Sequence, residues 1–378
     1  MNAHFIEPMD VLFLRGNRLF GDAGSYGESM VPPWPSVAAG AIRTAILARD
    51  GADPAAFARG KHEHAHPTLG TPDAPGSFRI TDFQLAWRGE TGEGPLERFY
   101  PLPADLVATR EAQQEYITLR ALSPWQPAAG IDCSMALERL PVMAQASRSK
   151  PVTGLWLTSR GMQSWLDGRL PDASADLVPS ARLWVHDERI GIGLQADTRR
   201  ADDGKLFSMQ AVAFSRGVGF LAEAEGDGLD AGTALRFGGD GRGAVVDRAA
   251  APAPEADVDR ILASRHCRLI LATPGIFPGG WRLPGMDAAG AFELCGVRGR
   301  VVAAAVNRAE VVSGWDLALR EPKPARRAVP AGSVYWIEDL QATPDDLRKL
   351  AAHGLWPETG YDARRRAEGF NRFLVASY

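Results

Sequence analysis

Apolar residues come in short blocks separated by glycine, proline and charge, and the spacing within each block sets the element it predicts. Phe5 to Leu14 has the compact apolar character of a strand. Arg15 to Glu28 is glycine-rich, and a proline cluster ends at Pro35. Ser36 then stands as a candidate N-cap. Ala38, Ala41, Ile42, Ala45 and Ile46 recur at three- and four-residue spacing, and Gly51 is placed to stop the helix. This is a strand, a loop and a helix in sequence. Strand-like runs follow at Phe78 to Trp87, Arg182 to Val185, Ile190 to Gln195, Phe207 to Phe214 and Val218 to Ala224, mostly between Gly or Asp turn signals. Leu235 to Val246 carries a second glycine-rich loop, with four glycines within six residues.

Ala249 to Asp259 replaces apolar periodicity with Pro, Ala and acids, which predicts a junction. Beyond it the same grammar returns. Cys267 to Thr273, Gly296 to Val306 and Ser333 to Glu338 read as strands, and Pro344 to His353 reads as a helix. Thr343 suits its cap, Pro344 its first position, Asp345 and Asp346 its dipole, and Gly354 its end. Leu347, Leu350 and Ala351 form its buried face. Arg364 to Val375 then gives a basic segment running into an apolar strand. Each half closes on a loop and a strand. The expected fold is therefore α+β, with two ferredoxin-like (RRM-like) βαββαβ domains carrying insertions and glycine-rich loops, over 1–250 and 258–378.

Composition supports a folded chain of more than one unit: 378 residues, 45% hydrophobic and 23% charged. The net charge of -4 supplies no long-range attraction for a polyanion, so any nucleic-acid contact has to be local. Of the 42 basic residues only five are lysine. Arginine suits forked phosphate contacts, and genomic base composition accounts for the bias equally well. Cys133, Cys267 and Cys295 are too far apart for a C-x-x-C pair, which fits a reducing cytoplasm. No N-terminal signal is evident, and no run approaches the roughly 20 apolar residues of a membrane span. No membrane partner is expected.

The candidate chemistry lies in the loops. Arg15, Gly16, Asn17, Arg18 and Gly21 open a segment in which glycines let the backbone approach an anion and the arginines offer donors. A purely conformational turn is the other reading. The segment lacks both G-x-x-x-x-G-K-[ST] and G-x-G-x-x-G, so it supports neither nucleoside triphosphate nor dinucleotide binding. Gly238, Gly239, Gly241, Arg242 and Gly243 fit a backbone nest or a tight hairpin. Arg364, Arg365, Arg366, Gly369, Asn371 and Arg372 surround Phe370, which is placed either to stack on a base or to fill the core. Lys323, Arg326 and Arg327 form a weaker basic patch. His62, His64 and His66 alternate as metal ligands do, but adjacent Gly and Pro favour a loop, so we expect no metal and no cofactor. No nucleophile or paired-carboxylate motif is present. Trp34, Trp125, Trp156, Trp165, Trp281, Trp315 and Trp336 read as core or interface.

The stretches FIEPMDVLFLRGNRLFGDAGSYGESMVPPWPSVAAGAIRTAIL, RIGIGLQADTRRADDGKLFSMQAVAF and SGWDLALREPKPARRAVPAGSVYW resemble the family of third subunits of the Cmr complex. This complex is the type III-B CRISPR effector, and its small subunits belong to the repeat-associated mysterious protein (RAMP) superfamily. Phe237 to Gly243 and Glu368 to Arg372 match that superfamily's glycine-rich loops. Asn371 departs from the pattern, standing where many members have another glycine. The resemblance implies a non-catalytic subunit that recognises the 5′ tag of the guide RNA. It also implies a bridge between the large polymerase/cyclase-like subunit and the backbone RAMP subunits, in antiviral defence. The alternative is a metal-independent endoribonuclease that processes guide precursors, with His4, Tyr26 and Tyr378 as acid-base candidates.

Overall fold

The computed structural model describes residues 2–16, 26–61, 65–110, 116–127, 136–145, 149–195, 197–226, 228–249, 251–316 and 321–378. Two antiparallel sheets organise it. The first has eight strands in the order Leu177–Pro179, Leu155–Thr158, Glu97–Pro101, Arg79–Trp87, Val218–Glu225, Asn2–Pro8, Gly243–Arg248 and Ala234–Arg236. The second has five, ordered Ala291–Leu294, Val297–Ala305, Val334–Gln341, Cys267–Leu271 and Phe373–Ala376. The four principal strands of each sheet follow one plan. Taken in chain order within each half, they lie side by side as second, third, first, fourth.

The helices are divided between the halves. Between its first two principal strands the N-terminal half carries the helix Pro35–Arg49, which buries Ala38, Ala39, Ile42, Ile46 and Leu47. Its last crossover, from Glu225 to Gly243, holds the short strand Ala234–Arg236 in place of a second helix among the described residues. In the C-terminal half the first crossover has no helix among the described residues. The second carries Pro344–His353, closed by a capping box between Thr343 and Asp346.

Two local expectations are corrected. Ser36 is not the N-cap; Trp34 holds that position in an extended conformation without a side-chain cap bond, and Pro35 opens the helix. Arg182 to Val185 is not one strand: Ser180–Leu183 is a helical turn, and the strand Trp184–Leu194 starts after it. That strand pairs with Ala201–Phe214 to form a long hairpin.

The segment expected as the junction is clamped. The Ala251 carbonyl accepts from buried Arg98 Nε at 2.9 Å. Glu255 and Gln163 exchange backbone and side-chain bonds at 2.8 and 2.9 Å, and Asp257 caps the helix Val258–Ser264. The halves also share a core, in which Tyr100, Leu157, Met162 and Trp165 pack with Ile270, Val302, Val334 and Trp336. Full burial of each large apolar side chain contributes roughly 1.5–3 kcal/mol. Arg268 crosses this interface to Asp105 at 2.7 Å, with 2% and 0% of the side chains exposed. It also donates to the Trp165 and Ser377 carbonyls.

Candidate functional site

The first two glycine-rich segments meet. After Pro8 the chain leaves its sheet, and Leu12, Phe13 and Leu14 are buried between neighbours. Leu12 bridges to Val212 of the hairpin, and Phe13 bridges to Gly239. Gly239 N donates to the Phe13 carbonyl at 2.7 Å. A Cβ on Gly238 would lie 2.8 Å from that oxygen, and φ at Gly238 is +75°. Glycine is required there by a protein backbone, so this position answers an internal packing need rather than a ligand. Gly243 pairs with Arg236 across the hairpin, and the Arg242 carbonyl accepts from Phe237 N. The hairpin reading of this segment is therefore realised.

What remains open to solvent is the rim. Arg15 is exposed and reaches Asp240 at 3.2 Å, Gly16 has nothing within 4 Å of its Cβ position, and Gly241 lies beside them in left-handed backbone. Arg242 pairs with Asp10 at 3.0 Å over the Phe13 ring. Asn17, Arg18 and Gly21 lie outside the described residues. The hairpin rises beside this rim, since Tyr26–Gly27 pairs with Ser208 and Met209. Its outer part exposes Ile190, Ile192, Leu194 and Leu206.

The basic segment at the C-terminus is built differently from the sequence expectation of an open stacking site. Phe370 is 0% exposed and packs with Trp34, Val312, Ala328 and Trp356, so its ring is not available to a base. Arg365 is buried, bonded to Glu368 at 2.9 Å and to the Ser313 carbonyl at 3.0 Å. Arg366 donates to the His353 carbonyl and to Tyr361 Oη. Arg372 donates to the Thr81 and Ala352 carbonyls, which places both guanidinia at the C-terminal end of the helix Pro344–His353. Arg364 pairs with Asp73 on the surface. Gly369, at φ +91°, would bring a Cβ within 2.8 Å of Ile80.

Glu368 was not singled out by sequence, yet it is the hub of this region. Lys323 lies at 3.2 Å, Arg365 at 2.9 Å and Arg43 at 4.0 Å. Burial pushes its carboxyl up, but these three cations outweigh that and hold it below the ordinary value of 4.5. Asn371 is fully buried with φ +63°. Its amide donates to the Leu355 and Ile276 carbonyls at 2.7 and 3.3 Å, and its oxygen accepts from Ile276 N at 2.7 Å. The departure from glycine thus keeps the left-handed conformation that asparagine tolerates and adds three bonds. Arg326 and Arg327 are exposed on a separate short hairpin.

The first and second loops form one surface, and the third is a packed layer joined to them through Trp34 and the Met30–Leu14 backbone bond. An open cavity of about 570 Å³ borders this third layer, lined by Arg79, Lys349, His353 and Arg366 together with Asp346 and Glu358. His66 directs Nε2 to Asp50 at 3.0 Å while Nδ1 accepts from Thr68 and Leu69, so both ring nitrogens are engaged. His62 and His64 lie outside the described residues. His4 is 0% exposed, Tyr26 Oη bonds Glu188 at 3.0 Å, and Tyr378 stacks on His266 in the other half. Tyr26 and Tyr378 thus have different partners, and His4 is buried.

A family model described as CRISPR-associated protein (Cas_Cmr3) matches residues 4–375. No curated protein matches the sequence. Among solved structures, a chain of the cryo-EM structure of the Type III-B Cmr-beta bound to cognate target RNA is similar at 14% identity. The match covers 98% of this chain and 96% of that one, with a TM-score of 0.50, a likeness of fold. A chain from the same assembly bound to cognate target RNA and AMPPnP, state 1, matches at 14% identity over 88% and 86%, with a TM-score of 0.45. No helix among the described residues is long and apolar enough to cross a membrane.

Proposed function

The chain belongs to the Cas_Cmr3 family of CRISPR-associated proteins, and from that premise we propose that it is a non-catalytic subunit of a type III-B RNA-guided effector complex. It binds the 5′ tag of the guide RNA and joins the large polymerase/cyclase-like subunit to the backbone subunits, in the cytoplasm. The observation that carries this reading is the meeting of Arg15 and Gly16 with Asp240 and Gly241 on one open rim. Residues 225 positions apart meet there, with Arg15 as an exposed donor that Asp240 holds in place on closely packed backbone, which suits holding one RNA end at fixed register. The overall charge of -4 suits binding inside an assembly better than coating free RNA. We read 1–250 and 258–378 as two ferredoxin-like units that share a core, each with one of its two crossover helices absent among the described residues.

The test is loading of reconstituted complex with guide RNA that carries or lacks the 5′ tag. Tag-dependent loading that weakens with Arg15→Ala supports the proposal. Tag-independent loading, or guide-precursor cleavage by the purified chain, contradicts it.

A further inference from the structure

We infer that the C-terminal half carries a second RNA contact, a stacking platform made by Trp315 with Arg327, which takes an unpaired stretch of RNA. The inference rests on the RNA-contacting role proposed above and adds a site distant in sequence from the first two glycine-rich loops.

The platform is a hairpin. Glu310–Val312 pairs with Arg326–Ala328, placing Arg327 opposite exposed Val311 on the outer face, while Arg326 stands opposite buried Val312 on the other. Farther out, Trp315 lies opposite Pro322. The base of the hairpin is fixed. Val312 and Ala328 are buried against Phe370, Ser313 Oγ donates to the Lys323 carbonyl at 2.6 Å, and Lys323 itself is held by Glu368. On this rigid base Trp315 leaves 55% of its surface exposed, more than Trp125 at 40%. An indole normally dominates the burial energy of its neighbourhood, so one held open at the end of an anchored hairpin is poised for a planar partner.

The charges say which partner. Arg308, Arg326 and Arg327 are all exposed, and none makes an ion pair among the described residues. A protein partner would have to supply a carboxylate to each before desolvating them, whereas a phosphodiester chain brings its own anions and every base offers a face to an indole. By contrast, the aliphatic tip of the other hairpin, Ile190, Ile192, Leu194 and Leu206, has no aromatic ring among its exposed apolar side chains. Along the hairpin, Trp315 and the Arg327 pairing position are separated by roughly 13 Å at about 3.3 Å per residue, within reach of a few extended nucleotides. Beyond Trp315, exposed Glu321 stands across the strands from Asp316 and disfavours phosphate, so the RNA runs from the indole towards Arg327.

The experiment measures binding of the full chain to a fluorescent, unstructured RNA of about ten nucleotides by anisotropy across a salt series. The variants are Trp315→Ala, Trp315→Phe, Arg327→Gln and Arg326→Gln. We expect Trp315→Ala to weaken binding about ten-fold with its salt slope unchanged, and Trp315→Phe to retain most of the affinity. Arg327→Gln should reduce the slope of log Kd against log salt by about 0.7, more than Arg326→Gln does. Wild-type binding that Trp315→Ala leaves untouched overturns the platform while leaving the proposed function standing. So does a variant that binds RNA normally but no longer copurifies with the neighbouring subunits, since the face would then be a protein contact. A wild-type chain that binds no RNA also overturns it, and tag-dependent loading of the assembled complex then judges the proposed function separately.

Discussion

Arg15 Nη2 lies 3.2 Å from Asp240 Oδ1, and this contact joins the first glycine-rich loop to the second. Both side chains are partly exposed, at 37% and 47%, so the ion pair by itself is worth little. Its consequence is for ligand binding, because Asp240 partly neutralises the cation that faces an incoming phosphate.

Asp240→Asn should therefore tighten RNA binding, and Arg15→Ala should weaken it, each several-fold, which corresponds to about 1 kcal/mol for a pair near water. Asparagine tolerates the φ of +58° at position 240, so the backbone is retained. Plots of log Kd against log salt check the account. The slope should steepen in the first variant and flatten by about 0.7 in the second. Equal slopes in all three proteins would remove Arg15 from the interface.

Glu368 predicts an acid-side effect on stability. Its carboxyl titrates below 4.5 in the folded chain because Lys323, Arg365 and Arg43 outweigh the burial that raises it. A depressed folded value stabilises the fold above the unfolded value, and that contribution is lost as pH falls through the folded one. Denaturant midpoints measured from about pH 7 to about pH 3 should drop more steeply for the wild type than for Glu368→Gln. The variant should be the less stable protein at neutral pH. Parallel curves would show that the carboxylate is not the group that titrates.

At position 371, Asn371→Gly should cost about 1–3 kcal/mol through the unpaired Ile276 N–H and Leu355 carbonyl. Asn371→Ala should cost about 1–2 kcal/mol more, because alanine also resists the left-handed conformation. Thermal midpoints should rank asparagine, glycine, alanine. A glycine variant as stable as the wild type would mean the three side-chain bonds contribute nothing.

The shared core predicts that the halves unfold together. Removing one member of the buried Asp105–Arg268 pair, as in Asp105→Asn, should cost about 3–5 kcal/mol and lower a single cooperative transition. The exposed pair Arg298–Glu293 should be worth under about 1 kcal/mol when broken. Two separated calorimetric transitions in the wild type would contradict the shared core.

The bounds of the helix Pro344–His353 were legible to the residue, because its cap, first proline, acidic first turn and terminal glycine are all local signals, while Ala351, expected on the buried face with Leu347 and Leu350, is exposed. The strands Val297–Ala305 and Val218–Glu225 were also close to their expected bounds. Sheet order was not legible, since strand pairing depends on contacts far apart in sequence. The clamping of the junction was hidden for the same reason: Arg98, which holds Ala251, lies more than a hundred positions away. Phe370 illustrates the same difficulty at the site. A phenylalanine among arginines has the composition of a stacking platform, and only the distant Trp34, Val312 and Ala328 reveal it as core. Trp315, read as one more core or interface tryptophan, proved largely exposed. Glu368 had a local signal that went unused, an acid set among several arginines in RRRAEGFNR.

The most direct test of the RNA-binding role places a photo-crosslinking nucleotide in the 5′ tag of the guide and maps the attached peptides in the assembled complex. The account predicts crosslinks to the rim formed by Arg15, Gly16, Asp240 and Gly241, reduced by Arg15→Ala. Crosslinks confined to other subunits, with this rim untouched, would contradict it.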